Sequence, residues 1–358
     1  MGMHPDFAQP YGEVRAARGG RLLAELNALV EHHRTACEPY ARILAAFAGR
    51  MPAGALEEIP YLPASIFKKL DLRSVGNGQV VRVLRSSGTA SSGPSRIALD
   101  KVTADRQSRA LAAIVMDFIG PARRPMLLIA RPPGRKTGDE LVASEVAALG
   151  FSRFGRDHRY VLDESGTIDA RGVAEFAEKH HESGILLFGF THPVWEFVQA
   201  VSASSGRLDL GADSVLIHGG GWKRMEEHKV SNEVFKKTIL ERLGIRRVHN
   251  YYGMVEQVGS IFMECERGRL HAPAFAAVIV RDPQALTCVP RGELGLLQVM
   301  STIPFSYPGF SVLTDDVGRI LGEDDCECGR NGVTFSVEGR APQAELRGCS
   351  DTGLGAAA

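Results

Sequence analysis

The sequence predicts an α/β fold: a mostly parallel, doubly wound sheet followed by a β-rich subdomain. Two observations carry that expectation. Between residues 80 and 253, short apolar runs alternate with stretches of helical periodicity, the signature of strand–helix–strand crossovers. Past residue 272 the texture turns to strands and turns (AFAAVIV, LGLLQVM, FSVLTDD, VTFSVEG), which reads as antiparallel pairing.

In chain order, residues 20–48 set apolar side chains at helical spacing and stop at Gly49, predicting one or two helices. The prolines of EIPYLPASIFKKL predict an extended stretch entering a short helix. A strand is expected at 79–85, then a Ser/Gly loop, then a helix from about Val102 to Phe118 closed by Gly120. Strands follow at 126–130, 184–190, 214–218 and 247–253, separated by helices near 139–149, 168–181, 193–203 and 231–243. The implied organisation is a helical segment over 1–60, an α/β core over 61–271, a β-rich subdomain over 272–339 and a short tail over 340–358. The closing DTGLGAAA reads as disordered.

At 358 residues and 44% apolar composition, the chain can form one large domain with appendages. Lys+Arg and Asp+Glu both number 42, so the net charge of zero argues against a nucleic-acid partner. No apolar run is long enough to span a membrane, and MGMHPDFAQP lacks a secretory leader's apolar core. The expectation is a cytoplasmic protein whose six cysteines are thiols or metal ligands rather than disulfides.

The loop SSGTASSGPSRI (86–97) sits directly behind a strand. Small residues let backbone N–H groups approach an anion, hydroxyls add donors, and a following helix N-terminus would add partial positive charge. The order is not that of a Walker loop. A solvated Ser/Gly linker is the alternative on composition, but a linker does not normally sit behind a strand inside a folded region.

This loop resembles the Ser/Thr/Gly-rich phosphate loop of the adenylate-forming superfamily, in a form closest to the LuxE-type acyl-protein synthetase branch of bacterial bioluminescence operons. Other stretches agree in order and spacing. IPYLPASIFKKL resembles that branch's Pro-rich motif, LIHGGGWKR its Gly-Gly-Trp-Lys motif, and YYGMVEQ the superfamily's Tyr-Gly-Met-Thr-Glu segment with Val255 for Thr. LTDDVGRI is similar to the Thr-Gly-Asp segment with Asp315 for Gly, and VEGR (337–340) to the stretch leading into the interdomain hinge. Together they cover residues 60 to 349.

The resemblance implies activation of a carboxylic, probably fatty, acid by ATP and Mg2+ to acyl-AMP and pyrophosphate. It assigns Ser86, Ser87, Gly88 and Thr89, with Arg96 where the superfamily often has Lys, to the β- and γ-phosphates. Glu256 would hold Mg2+; the plain alternative is a glutamate favouring a helix N-terminus. Tyr252, beside Gly253, would flank the adenine, Asp316 would take the ribose hydroxyls, and Arg340 would open the hinge. Gly220 and Gly221 imply close backbone approach to the nucleotide. Lys223 would supply positive charge near the reacting phosphate, or is a surface lysine starting a helix.

Only 18 residues follow Arg340 in this sequence, so the expectation is that the small domain that usually carries a catalytic lysine and accepts CoA or a carrier arm has no counterpart here. Cys349 in ELRGCSDTG falls where the branch carries its acyl-accepting thiol, with Arg347 placed to favour the thiolate. The acyl group would then pass to a partner such as a reductase or acyltransferase. Two other readings stay open: transfer to CoA or a carrier protein, and a nucleotide-binding subunit whose acceptor lies in a partner.

Cys326 and Cys328 (CECGRNG), with Cys265 and His271 (MECERGRLHAP), form either a closed tetrahedral zinc set or a reduced pair in a turn. Similar C-x-C-G-R turns hold zinc in some CoA-ligase relatives. Cys37 and Cys288 read as core, and His192 as either an acyl-pocket or a structural histidine.

Overall fold

The computed structural model describes residues 7–47, 49, 51–86, 94–132, 141–204, 206–222 and 229–341. Helix α1 (Arg15–Ala36) buries Leu22, Leu26, Leu29, Val30 and His33, one stripe at three- and four-residue spacing, and α2 (Glu38–Ala45) follows with Pro39 in its first turn. The Pro-rich stretch supplies β1 (Leu62–Pro63) and a 3-10 turn over Ala64–Lys68.

Next come β2 (Val80–Arg85), β3 (Arg96–Asp100) and α3 (Lys101–Ile119). Asp100 caps α3 by accepting from the Thr103 N–H at 2.7 Å, and Gly120 ends it at φ +81°. Here the expected order of strand, loop and helix is corrected. Strand β3 intervenes and pairs antiparallel with β2, so the Ser/Gly loop joins a hairpin and the N-terminus of α3 does not follow it directly. In RIALD three apolar residues run together, which resembles the start of a helix as much as a buried strand.

The crossover region contains β4 (Arg124–Ile129), β5 (Leu141–Val142), α4 (Ala143–Ser152), β6 (Gly155–Tyr160), α5 (Ala170–His180), β7 (Leu186–Phe190), α6 (Thr191–Ser204), β8 (Val215–Gly219), α7 (Asn232–Leu243) and β9 (Arg247–Tyr252). Five of these strands are parallel, in the order β6-β4-β7-β8-β9. Their side chains alternate between two cores, as the pleat requires. Met126, Leu128, Leu186, Phe188, Val215 and Ile217 join a cluster with α3, whereas Leu127, Ile129, Leu187 and Leu216 join another with α5, α6 and α7. Both faces being covered explains why LLFGF and VLIHG read as continuous apolar runs.

The sheet then continues antiparallel through β10 (Phe262–Glu264), β11 (Leu270–His271), β15 (Val333–Arg340), β14 (Ser311–Glu323), β13 (Gly295–Ser301) and β12 (Ala276–Arg281). It comprises 12 strands, counting β1 beside β14, while β3-β2-β5 form a separate three-stranded sheet. Helix α1 packs on the antiparallel part. Its Arg18 meets Glu323 at 2.7 Å and Asp324 at 3.5 Å, and its His33 ring stacks on Phe310 at 5.4 Å. Cys37 is buried as expected, but Cys288 is exposed: it lies just past the turn made by Asp282 and Leu286, where one bridge to Arg281 is its strand pairing.

Candidate active site and metal centre

In open α/β sheets, ligands gather outside the carboxyl ends of parallel strands. Two of the motifs, the glycine turn after β8 and the Tyr-Gly-Met segment after β9, leave the sheet at that edge. The β2–β3 hairpin joins them there. Its neck is closed by Ser86 and Ser95: the Ser86 N–H donates to the Ser95 carbonyl at 3.1 Å, and the Ser95 N–H donates to Ser86 Oγ at 2.9 Å. Ser87, Gly88 and Thr89 lie outside the described residues. Arg96 opens β3, opposite Arg85, and is exposed.

Ser95 also reaches across the molecule. Its fully buried hydroxyl donates to Glu256 Oε1 at 2.6 Å, tying the hairpin to a residue 161 positions away. Glu256 sits in a 3-10 turn (Val255–Gln257) and is buried. Its backbone is closely covered: a Cβ on Gly309 would lie 2.4 Å from the Glu256 carbonyl oxygen, so only glycine fits at 309. A hard carboxylate oxygen held beside the hairpin neck fits the ligand chemistry of Mg2+.

Tyr252, the last residue of β9, packs edge-on to Phe335 and donates from its phenol to Asp316 Oδ2 at 2.6 Å. Asp316 stands opposite Arg340 in the β14–β15 register, with Arg340 Nε 3.7 Å from Oδ1. Asp316 faces Tyr252 while Asp315 is exposed, a consequence of strand alternation. Burial pushes the Asp316 carboxyl above its ordinary value, opposed by the Tyr252 hydrogen bond and the Arg340 charge. Burial also raises the Tyr252 phenol, and the neighbouring carboxylate adds to it. Gly253 follows, its missing Cβ 3.1 Å from Ile261.

At the end of β8, a Cβ on Gly219 would fall 2.3 Å from the Tyr251 ring, and Gly220 adopts φ +74°, which glycine tolerates without strain. Gly221 faces open space. The Thr191 hydroxyl lies 2.7 Å from the Gly220 carbonyl, 3.2 Å from that of Gly219 and 3.0 Å from His218 Nδ1, fixing the turn. Burial drives His218 down to about 3, so its imidazole is neutral. Lys223 and Cys349 lie outside the described residues. His192 opens α6, half-buried, 3.5 Å from Glu196 on its own helix. Ser95 lies inside the Ser/Gly loop that the sequence singles out but is given no role of its own there, and Thr191 escaped the sequence reading because a single hydroxyl carries no pattern.

The structure brings Cys265, His271, Cys326 and Cys328 together. Their four donor atoms all lie within 4.8 Å of one another. Two tight turns present them: Gly268 closes one at φ +72°, its N–H bonded to the Cys265 carbonyl, and Gly329 closes the other at φ +82° on the Cys326 carbonyl. The Cys265 and Cys326 sulfurs are 3.8 Å apart, and Cys328 Sγ is 3.4 Å from His271 Nε2. A tetrahedral ion with Zn–S near ~2.3 Å and Zn–N near ~2.0 Å spaces its ligands at about 3.8 Å (S–S) and about 3.5 Å (S–N). The residues therefore fit zinc in number, softness and spacing. Without an ion, burial pushes the Cys265 thiol up to about 12 and His271 down to about 4, so the imidazole is already in its ligating form. Arg330 locks the second turn to α3 through Asp117 at 2.7 Å.

Comparison with known proteins bears directly on this arrangement. The family model described as "Acyl-protein synthetase, LuxE" matches residues 11–355. A long-chain-fatty-acid–luciferin-component ligase of Vibrio harveyi is 25% identical over 301 residues, 82% of this chain and 77% of that protein. Its counterpart in Aliivibrio fischeri is 27% identical over 304 residues, covering 82% and 78%. Among solved structures, 2-hydroxyisobutyryl-CoA ligase in the postadenylation state superposes with a TM-score of 0.69 at 17% identity, covering 94% of this chain and 72% of that one. The fold is that of adenylate-forming ligases, and with a family match running nearly end to end, the chain belongs to the LuxE acyl-protein synthetase family.

Proposed function

We propose that the protein activates a long-chain fatty acid with ATP and transfers the acyl group to its own Cys349, for delivery to a partner such as a reductase or acyltransferase. In the first step a carboxylate oxygen bonds to the α-phosphorus, and the bond to the leaving pyrophosphate breaks. In the second, the Cys349 thiolate bonds to the acyl carbonyl carbon and AMP departs with the electron pair, leaving a thioester. The observation that carries this reading is the Ser95–Glu256 hydrogen bond, which sets the hydroxyl-rich hairpin against the Tyr-Gly-Met-Val-Glu segment. The long-chain fatty acid is the substrate class named for the Vibrio harveyi and Aliivibrio fischeri relatives.

Within this reading Asp316, oriented by Tyr252 and Arg340, accepts the ribose hydroxyls, and the backbone at Gly220 and Gly221 borders the base. Ser86, Ser87, Gly88, Thr89 and Arg96 grip the outer phosphates, and Lys223 offsets charge at the reacting one. Bound at Glu256, Mg2+ supplies charge neutralisation on the phosphate oxygens. Zinc held by Cys265, His271, Cys326 and Cys328 is structural, since all four positions are taken by protein. Intact-mass measurement after incubation with ATP, Mg2+ and tetradecanoate should show one acyl adduct that Cys349→Ser abolishes, with carboxylate-dependent pyrophosphate exchange retained. An adduct that survives Cys349→Ser, or none at all, refutes self-acylation. Product on added CoA instead identifies the CoA-ligase alternative, the activity named for the superposed structure.

A further inference from the structure

We infer that Ser95 is a positioning residue for the metal-binding carboxylate: its hydroxyl holds Glu256 Oε1 so that Oε2 is presented to the ion accompanying ATP. The inference rests on the assignment of Mg2+ to Glu256 made above and deepens it. Three observations converge on Ser95. First, the hairpin neck does not need this side chain. The Ser86 N–H to Ser95 carbonyl bond and the Ser95 N–H to Ser86 Oγ bond close it with Ser95 backbone atoms alone. Second, the Ser95 hydroxyl is fully buried and spends its proton on Glu256, at 2.6 Å, the short separation of a charge-assisted bond. Third, the glutamate backbone is held independently by the close approach of Gly309, so Ser95 is left to fix the carboxylate itself.

A carboxylate held by one oxygen keeps a defined plane, and Mg2+ demands near-ideal octahedral geometry and so rewards that order. The same contact makes Ser95 a reporter between the triphosphate loop and the ion: residue 95 ends the hairpin connection, and residue 256 ends the adenine-flanking segment. The sequence marks the Ser/Gly loop that contains it but does not single it out, because it is one of five serines between residues 86 and 97.

The test titrates Mn2+, as a spectroscopic stand-in for Mg2+, into the full chain with a non-hydrolysable ATP analogue, following free Mn2+ by electron paramagnetic resonance. Pyrophosphate exchange against Mg2+ concentration is measured in parallel. Losing a hydrogen bond to a charged group should weaken Mn2+ binding and raise half-saturating Mg2+ by about tenfold in Ser95→Ala, with the KM for ATP at saturating Mg2+ little changed. Ser95→Thr, which keeps the hydroxyl, should restore both. If Ser95→Ala fails to fold, the near-isosteric Ser95→Cys carries the same comparison. Wild-type Mn2+ affinity in Ser95→Ala, together with lost affinity in Glu256→Gln, overturns the inference about Ser95 alone. Undiminished affinity in Glu256→Gln removes the carboxylate from the metal site and takes both readings down.

Discussion

Tyr252 and Asp316 are 64 residues apart in sequence and 2.6 Å apart in space, and neither group is in its ordinary ionisation environment. The hydrogen bond from Tyr252 pulls the Asp316 carboxyl down against the upward push of burial. Removing the phenol therefore raises it. In Tyr252→Phe the acid limb of ATP binding should move to higher pH, and affinity at neutral pH should fall by about tenfold or more, the worth of one hydrogen bond to a charged group. Isothermal titration from pH 5 to 8 checks this; an unshifted limb would show that Asp316 is not the group titrating. At this scale the sequence was partly legible. Tyr252, Glu256, Asp316 and the Cys/His set stand in recognisable runs; the structure pairs Tyr252 with Asp316 and, separately, brings the four Cys/His donors together. Ser95 and Thr191 were not legible, because their hydroxyls matter through partners that only the tertiary fold brings near.

Among elements, the informative cases are the ones the pattern missed. Strand β6 (GRDHRY) has no apolar alternation because, among the described residues, it is a polar edge strand paired with β4 alone, and charge on an edge guards against pairing with other chains. Strand β3 was hidden in a run that could open a helix, so the phosphate-type loop looked like a strand–helix turn. The buried strands β4, β7 and β8 were legible because each carries a contiguous apolar run, whereas β9 (RVHNYY) was legible by its place in the alternation and by the Tyr-Gly-Met segment behind it. The hairpin β10–β11 and the 324–332 turn are joined by the β11–β15 ladder and by the ion pairs Arg267–Glu327 (3.3 Å), Arg269–Asp325 (3.7 Å) and Arg330–Glu266 (3.1 Å), and between them they carry the four Cys/His donors. We expect one zinc per chain by inductively coupled plasma mass spectrometry, with Cys326→Ser losing it. Chelation should lower the thermal midpoint by more than about 5 °C, since each kcal/mol lost moves a chain of this size by roughly 2 °C. A metal-free preparation with an unchanged midpoint would leave the reduced-turn reading.

At the scale of the whole molecule, α1 belongs to the fold rather than trailing from it. Arg18 is nearly buried against Glu323 and Asp324, so Arg18→Ala should cost about 2 kcal/mol in urea unfolding: more than an exposed ion pair, less than a fully buried one. Behind it, His33 is buried with its Nδ1 2.7 Å from Ser74 Oγ and is held well below its ordinary value by burial, as His218 is, at about 3. A depressed histidine favours the folded state fully above about pH 6.5, and that contribution drains away as pH falls toward the folded value. Urea stability should therefore drop between pH 7 and pH 5, by up to ~1.4 kcal/mol per pH unit for each such histidine. His33→Gln, weaker at pH 7, should lose less over that interval; equal losses would exclude His33 as a contributor.

The contact between Tyr252 and Asp316 has one more consequence. Along the sheet, β9 and β14 are separated by β10, β11 and β15, four ladder spacings, or about 19 Å were the sheet flat. Touching side chains mean that the ribbon rolls over on itself here, so the proposed sugar-binding corner is walled by hydrogen-bonded strands and not by loops. Amides at 252 and 316 should accordingly exchange with deuterium as slowly as those of the central parallel strands, before any nucleotide is added.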